Sequence, residues 1–185
     1  GNFKLSNTAG SLTNVVISSS TNNNTLYVLK LQNGDIDLND QTFTLNGTAS
    51  NSTNIYTSGT GVRKIFTSTG VGNFNISGSV ATPGQQNLNV SRASTSSSLT
   101  FDNNVTLTTS VGVDFGPSGM RLINSYFYIN TNGFVINNSP DYGNSSYLVY
   151  NNGGGGFNRN VEWNTNTPGL GYPNNIIVQN STYLS

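Results

Sequence analysis

The chain has no cysteine, no histidine and a single methionine among its 185 residues. Without cysteine it can form neither a disulfide nor a thiolate metal site, and cysteine usage therefore says nothing about its redox compartment. Without histidine it lacks the commonest metal ligand and the commonest general base in proteins. These absences predict a protein without cofactors and argue against most enzyme classes.

Charge and long apolar runs are also scarce. Charged residues make up 8% of the chain, and seven basic residues balance seven acidic ones. A neutral chain has no basic field with which to collect phosphates, so we expect no nucleic-acid partner. No apolar run approaches the roughly 20 residues of a membrane-spanning helix, so we expect no membrane insertion.

What the chain does have in abundance is asparagine, together with serine, threonine, glycine and short apolar runs. Within residues 98–137 apolar and polar residues alternate with a period of two, which indicates strands with one buried and one solvated face. Turn residues such as Gly116-Pro117-Ser118-Gly119 separate these strands. The pattern predicts these inward positions: Leu99, Phe101, Val105, Leu107, Val111, Val113, Phe115, Phe127, Ile129, Phe134 and Ile136.

The spacing of the strands predicts an all-β fold. About seventeen candidate strands follow one another roughly every eleven residues, and no window has a sustained helical period. Asn and Gly at the corners tolerate a left-handed backbone, which sharp corners between the faces of a solenoid require. We therefore expect one right-handed parallel β-helix of about six coils over residues 1–185, with a loop insertion at residues 151–175. A jelly-roll β-sandwich is the alternative.

Three parts of the chain resemble a known family. The Thr44-Leu45-Asn46-Gly47 turn and the strand ladder of residues 98–137 resemble the β-strand repeats of large secreted surface proteins of Bacteroidota. The order of three segments in residues 146–180 is more specific: a "LIYN-GG" strand, an "R-x-x-EW" segment and a "GYP-N" turn. In this chain they read SYLVYNNGG at 146–154, FNRNVEW at 157–163 and PGLGYPNN at 168–175.

The resemblance implies a location and a role. Proteins of this type are exported by the type IX system and serve as adhesins, stalks or spacers, and no general catalytic motif accompanies the module. We therefore expect a non-enzymatic, extracellular segment at a bacterial cell surface, part of a longer repeat protein. Its expected partners are neighbouring repeats of the same chain, or copies of itself stacked end to end. The alternative is a carbohydrate-binding or accessory domain of a secreted glycan-degrading enzyme, with surface glycans as partners.

Four residues of the long irregular stretch form the candidate ligand site: Arg159, Glu162, Trp163 and Tyr172. Aromatic rings stack on sugar faces, Arg and Glu side chains hold hydroxyl groups, and loops on rigid scaffolds often carry binding residues. The competing interpretation is structural. In that case Trp163 anchors the loop to the flank of the β-structure, and Arg159 pairs with Glu162 to hold it there.

A cluster of three aspartates is a weak candidate for a metal site. Asp35, Asp37 and Asp40 lie close together in the sequence, and Ca²⁺ prefers several such oxygen ligands. Because Ile36 and Leu38 alternate with Asp35 and Asp37, a strand would simply turn the two carboxylates outward. We therefore expect no metal requirement.

Overall fold

The computed structural model describes residues 121–185 except 165 and 168. Upstream of residue 121 it describes the strand segments β1–β13 together with residues 38, 115 and 116. The described residues form 21 strands and one 3₁₀-helix, so the protein is all-β. The first nine strands are β1 (Asn2–Leu5), β2 (Val15–Val16), β3 (Asn24–Leu26), β4 (Val28–Leu31), β5 (Gly34–Asp37), β6 (Thr42–Gly47), β7 (Thr53–Thr57), β8 (Lys64–Thr67) and β9 (Gly72–Gly78).

The remaining elements lie between residues 86 and 184. They are β10 (Gln86–Arg92), β11 (Leu99–Phe101), β12 (Val105–Thr109), β13 (Gly112–Asp114), β14 (Arg121–Leu122), β15 (Tyr126–Asn130), β16 (Phe134–Val135), β17 (Asp141–Tyr142), β18 (Tyr147–Asn151), β19 (Gly156–Phe157), the 3₁₀-helix η1 (Val161–Trp163), β20 (Asn175–Val178) and β21 (Tyr183–Leu184). Most of these strands are very short, as the short alternating runs of the sequence predict.

From β1 to β18, the strands form three sheets in which each strand pairs with the one three places later in the chain. Sheet A has the order β1-β4-β7-β10-β13-β16, and sheet B the order β2-β5-β8-β11-β14-β17. Sheet C has the order β3-β6-β9-β12-β15-β18 and is extended by β20, while β19 pairs separately with β21. All pairings between these strands are parallel. The sheets of a jelly roll are antiparallel, so the described strands do not have its pairing.

We call three consecutive strands, one from each sheet, a triplet. In sheet C, Thr106 lies opposite Tyr126 and Tyr126 lies opposite Tyr147, so these two steps along the chain are nearly equal in length. The next step is longer, because Tyr147 lies opposite Asn175. The additional residues of this last step lie in the segment that follows β18, which we call the terminal segment, residues 152–185.

A continuous apolar core lies between the sheets. It includes Phe74, Phe127, Leu148 and Tyr150, each fully buried. Phe115 packs edge-on against Phe127, with ring centroids 5.3 Å apart. In the terminal segment the partly buried residues that pack against this core are Phe157, Val161, Trp163, Ile176 and Leu184.

Several predicted inward positions are confirmed and two are wrong. Val113, Phe115, Phe127 and Ile129 are buried, whereas Phe134 and Ile136 are only half-buried and Val135 between them has no exposed surface. The odd-numbered residues face inward both in β15 and after the turn. Gly133 continues this alternation, because it is buried and a Cβ atom there would lie 2.6 Å from the Thr109 carbonyl oxygen. The smaller Val135 therefore points inward. The side chains of Leu99, Phe101, Val105, Leu107 and Val111 lie outside the described residues.

Residues with a left-handed backbone occupy the corners between sheets, as predicted for Asn and Gly. Gly116 and Asn137 have φ values of 77° and 62°, and Asn124 and Ser145 have values of 48° and 55°. Asn132 and Gly153 have values of 67° and 60°. The two members of each pair are one triplet apart, so equivalent corners of successive triplets use the same backbone geometry.

One corner is also held by a buried carboxylate. Asp114 is 6% exposed and accepts hydrogen bonds from the Gly116 amide (2.9 Å) and from the side chains of Asn137 (3.0 Å) and Asn138 (2.8 Å). These donors satisfy a group whose burial would otherwise be costly. Asp114 therefore links a corner of one triplet to the equivalent corner of the next.

Candidate functional site

The terminal segment contains all four predicted site residues. After β18 the chain forms β19, then η1, and then a short antiparallel hairpin in which Gly169 bridges Tyr172. Leu170 bridges Asp141 of β17, and the Gly171 amide donates to the Pro140 carbonyl oxygen at 3.0 Å. The hairpin thus lies against the last strand of sheet B. The predicted loop insertion at 151–175 contains regular elements along part of its length.

Glu162 lies inside the protein. It is 2% exposed, and its Oε1 atom accepts hydrogen bonds from the Tyr150 hydroxyl (2.9 Å) and from the Asn160 amide (3.0 Å). Burial raises the pKa of the Glu162 carboxyl, and these hydrogen bonds together with the charge of Arg159 lower it by a smaller amount. A carboxyl group enclosed in this way cannot contact a ligand in solution in this conformation.

Two buried tyrosines lie close to Glu162. Tyr150 has no exposed surface and Tyr142 is 4% exposed. The pKa of each hydroxyl is raised, mainly by burial and secondarily by the Glu162 charge. The Tyr142 hydroxyl has no hydrogen-bond partner among the described residues. These three groups lie together between β17, β18 and η1, and the hydrogen bond from Tyr150 to Glu162 links η1 to β18.

Arg159 interacts with Trp163 on the outside of η1. Its guanidinium carbon lies 4.7 Å from the centroid of the indole ring, within the range of a cation–π interaction. Arg159 is exposed, and the half-buried Trp163 also packs against the apolar core. Among the described residues the one ion pair joins Arg121 to Asp141, at 3.8 Å, so the expected Arg159–Glu162 pair is absent. Arg159 holds the indole ring and Tyr150 holds the carboxylate.

Tyr172 is separate from the other three predicted site residues. Its amide donates to the Gly169 carbonyl oxygen at 3.2 Å, and its side chain is half-buried. Within the described residues no hydrogen bond, ion pair or ring contact joins Tyr172 to Arg159, Glu162 or Trp163. The structure therefore brings together Arg159 and Trp163 on the surface, places Glu162 inside, and leaves Tyr172 on the hairpin.

The aromatic row on sheet C is a surface feature that the predicted site residues do not include. The rings of Tyr126 and Tyr147 stack, with their centroids 4.7 Å apart and 11° between their planes. The ring centroid of Tyr128 lies 6.3 Å from that of Tyr126. Because the first two rings stack on each other, each ring covers one face of the other. A sugar ring that stacks on an aromatic face would not find one between them.

An asparagine row runs beside the tyrosines. The Asn151 side-chain amide donates to Asn130 Oδ1 at 2.8 Å, and the Asn180 side-chain amide donates to Asn151 Oδ1 at 2.5 Å. The sequence signal for both rows is a local repeat, in which SYFYIN at 125–130 returns as SYLVYN at 146–151. The tyrosine stack and the Asn130–Asn151 bond connect successive strands of sheet C, and the bond from Asn180 links the turn after β20 to β18.

The weak metal candidate is only partly described. Asp35 and Asp37 lie in β5, and Asp40 lies outside the described residues. Among the described residues no group of three or more acidic, His or Cys side chains could hold a metal ion. The absence of a metal requirement stays a prediction.

Comparison with known proteins gives no relative from which a function could be transferred. No protein-family model, no curated protein and no solved structure matches the chain. In the described part of the chain, no helix is both long and apolar enough to cross a membrane.

Proposed function

We propose that the chain is a β-solenoid segment with a structural, non-enzymatic role in an extracellular bacterial surface protein. The observation that carries the proposal is the strand order, since the strands of sheets A and B pair in parallel with the strand three places later. Three strands per coil and six triplets correspond to a parallel β-helix of six coils. Parallel strands joined by such crossovers almost always wind in a right-handed sense.

The contacts between successive triplets support a mechanical role. Backbone ladders, the tyrosine stack, the asparagine row and the Asp114 corner all connect one triplet to the next. In a solenoid each repeat contacts mainly its neighbours, so its length grows with the number of repeats. A column of this kind suits a stalk, an adhesin body or a filament. The resemblance to secreted surface proteins of Bacteroidota adds the proposed location and the type IX export route.

The proposed partner is a neighbouring repeat or a second copy that continues the stack. β20 is an edge strand of sheet C, and Val178 is 43% exposed although it lies in register with the buried Tyr150. An edge strand with exposed apolar residues and no charged side chain favours pairing with another strand. Residues 164–185 contain no charged residue, so no charge repulsion opposes such pairing.

Engineered disulfides test the solenoid. Cysteines introduced by Tyr126→Cys together with Tyr147→Cys occupy opposed positions of adjacent parallel strands, about 4.8 Å apart. We expect this pair to oxidise readily within one molecule, as shown by non-reducing electrophoresis and by mass. The wild-type chain has no cysteine, so the result is not complicated by other thiols.

The control is a pair that is two residues out of register. Tyr128→Cys with Tyr147→Cys places the two Cα atoms diagonally, about 8 Å apart, too far for an unstrained disulfide. Equal oxidation of both pairs, or no oxidation of the first, would contradict the parallel register on which the solenoid depends.

The alternative function, carbohydrate binding, depends on Arg159 and Trp163. Arg159 is the exposed cation of the terminal segment and lies over the indole ring, so a sugar that stacks on Trp163 would first displace it. On a glycan array we expect no selective binding by the purified chain. Selective micromolar binding that Trp163→Ala abolishes, and that Tyr126→Ala leaves intact, would instead support the alternative.

A further inference from the structure

Four Asn-Gly pairs occur in the chain, and the structure gives the described ones different environments. They are Asn33-Gly34, Asn46-Gly47, Asn132-Gly133 and Asn152-Gly153. An Asn-Gly pair is the least hindered site for attack of a backbone nitrogen on the preceding side-chain amide, because glycine has no Cβ atom. Whether attack occurs in a folded protein depends on two conditions: the glycine nitrogen must be accessible, and the backbone must be able to move.

Two of these pairs lie in rigid parts of the fold. Asn46 and Gly47 are in β6 and lie in ladder register with Ser77 and Gly78 of β9. The Gly133 amide donates to the Asn130 carbonyl oxygen at 2.8 Å, and Gly133 is buried against Thr109. The nitrogen that would attack Asn132 is therefore engaged in a hydrogen bond, and its surroundings leave no room for the chain to rotate.

The glycine side of the Asn152-Gly153 pair has the opposite environment. Gly153 and Gly154 are exposed, have φ values of 60° and 98°, and would have no atom within 4 Å of an added Cβ. The Gly153 amide makes no hydrogen bond to another described residue. The Asn152 side-chain amide folds forward over the glycine run and is held by one exposed bond, 3.1 Å to the Gly156 carbonyl oxygen.

We propose that Asn152 is a site of spontaneous deamidation in the folded protein and that Asn132 is protected. In the first step the Gly153 nitrogen loses its proton and forms a bond to Cγ of Asn152. The bond from Cγ to the side-chain nitrogen breaks, and ammonia leaves. Water then opens the resulting succinimide at either carbonyl, which yields aspartate or isoaspartate; no electrons are gained or lost.

The product would alter the junction between β18 and the terminal segment. The Asn152 amide donates to Thr182 Oγ1 at 2.6 Å, and its carbonyl oxygen accepts from Thr131 Oγ1 at 3.3 Å. Isoaspartate adds one backbone atom at this corner and both products add a carboxylate. Thr131 lies just after β15 and Thr182 lies between β20 and β21, so we expect deamidation to weaken the contacts that Asn152 makes with these two turns.

The experiment compares native and denatured protein during incubation at neutral to mildly alkaline pH. Peptide mapping by mass spectrometry quantifies the amide-to-acid conversion at Asn132 and Asn152 separately. In urea both pairs are unstructured and we expect similar rates. In the native protein we expect Asn152 to convert several-fold faster than Asn132.

A variant separates local geometry from global stability. Gly153→Ser introduces a residue type that this chain already uses at a left-handed corner, as Ser145 has a φ of 55°. It should slow conversion at Asn152 in native protein and in urea, while conversion at Asn132 stays unchanged. Equal protection of Asn132 and Asn152 in the native protein, with both converting in urea, would overturn the proposal.

Discussion

Phe127→Ala should lower the free energy of unfolding by about 3–5 kcal/mol, the usual cost of truncating a fully buried phenylalanine. Phe127 has no exposed surface, and its ring packs edge-on against Phe115 between the sheets. Because the neighbouring strands are fixed by their ladders, the core cannot collapse into the space that the ring leaves. Urea denaturation monitored by circular dichroism measures the loss.

Phe134→Ala is the matched control, because it removes the same side chain from the next strand of the chain. Phe134 is half-buried and does not belong to the core cluster, so we expect a loss of about 1 kcal/mol. Thr131→Ala, at an exposed turn position, should change stability by about 0.5 kcal/mol or less. A loss at Phe134 as large as that at Phe127 would contradict the assignment of faces.

The second large effect is a pH dependence that originates in Glu162. Burial raises its pKa in the folded state above the value of 4.5 expected when exposed, so the folded protein binds this proton more tightly than the unfolded chain. The contribution of Glu162 to the free energy of unfolding is therefore fully present below pH 4.5. It is lost as the pH rises through the raised pKa of the folded state. Each unit by which the pKa is raised corresponds to about 1.4 kcal/mol.

Glu162→Gln should remove this loss, because a neutral amide occupies the same position at every pH. The measurement is the difference between wild-type and variant unfolding free energies from mildly acidic to mildly alkaline pH. Asp141→Asn is the matched control: it makes the same chemical change at a half-buried carboxylate, whose partner Arg121 lies at 3.8 Å on the surface.

Tyr150→Phe provides an independent check. It removes the hydroxyl that donates to Glu162, so it should destabilise the protein by about 1–3 kcal/mol. Because that hydrogen bond lowers the pKa of Glu162, its loss should also move the pH-dependent window to higher pH. Parallel pH profiles for wild type and Glu162→Gln would show that this carboxyl does not titrate differently on folding.

The sequence predicts the all-β fold well because period-two alternation and corner residues are local properties. Asn124, Asn132 and Asn137 are left-handed corners, as their residue type suggested. The alternation of Phe134 and Ile136 predicts the wrong inward face here, because Val135 between them is also apolar and the period of two does not distinguish the two faces. Only the buried Gly133, with its close approach to Thr109, shows that the phase is unchanged.

The candidate site could be predicted only in part. The residue types of Arg159, Glu162 and Trp163 suggest a site, but their proximity in the sequence does not show that Glu162 is buried while Arg159 and Trp163 meet at the surface. The partner of Glu162 is Tyr150, which lies on another element earlier in the chain. That pairing depends on how η1 packs on β18, which no local pattern encodes.

The register of sheet C has a consequence for how such a chain can change over time. The stretch of chain from Tyr147 to Asn175 is longer than that from Tyr126 to Tyr147, yet both ladders pair in parallel. The parallel ladder is therefore compatible with connections of different length between its strands. Insertions and deletions at these connections would leave the register of the paired strands unchanged. New surface segments can thus be acquired or lost there one at a time, while the strands that support them remain unchanged.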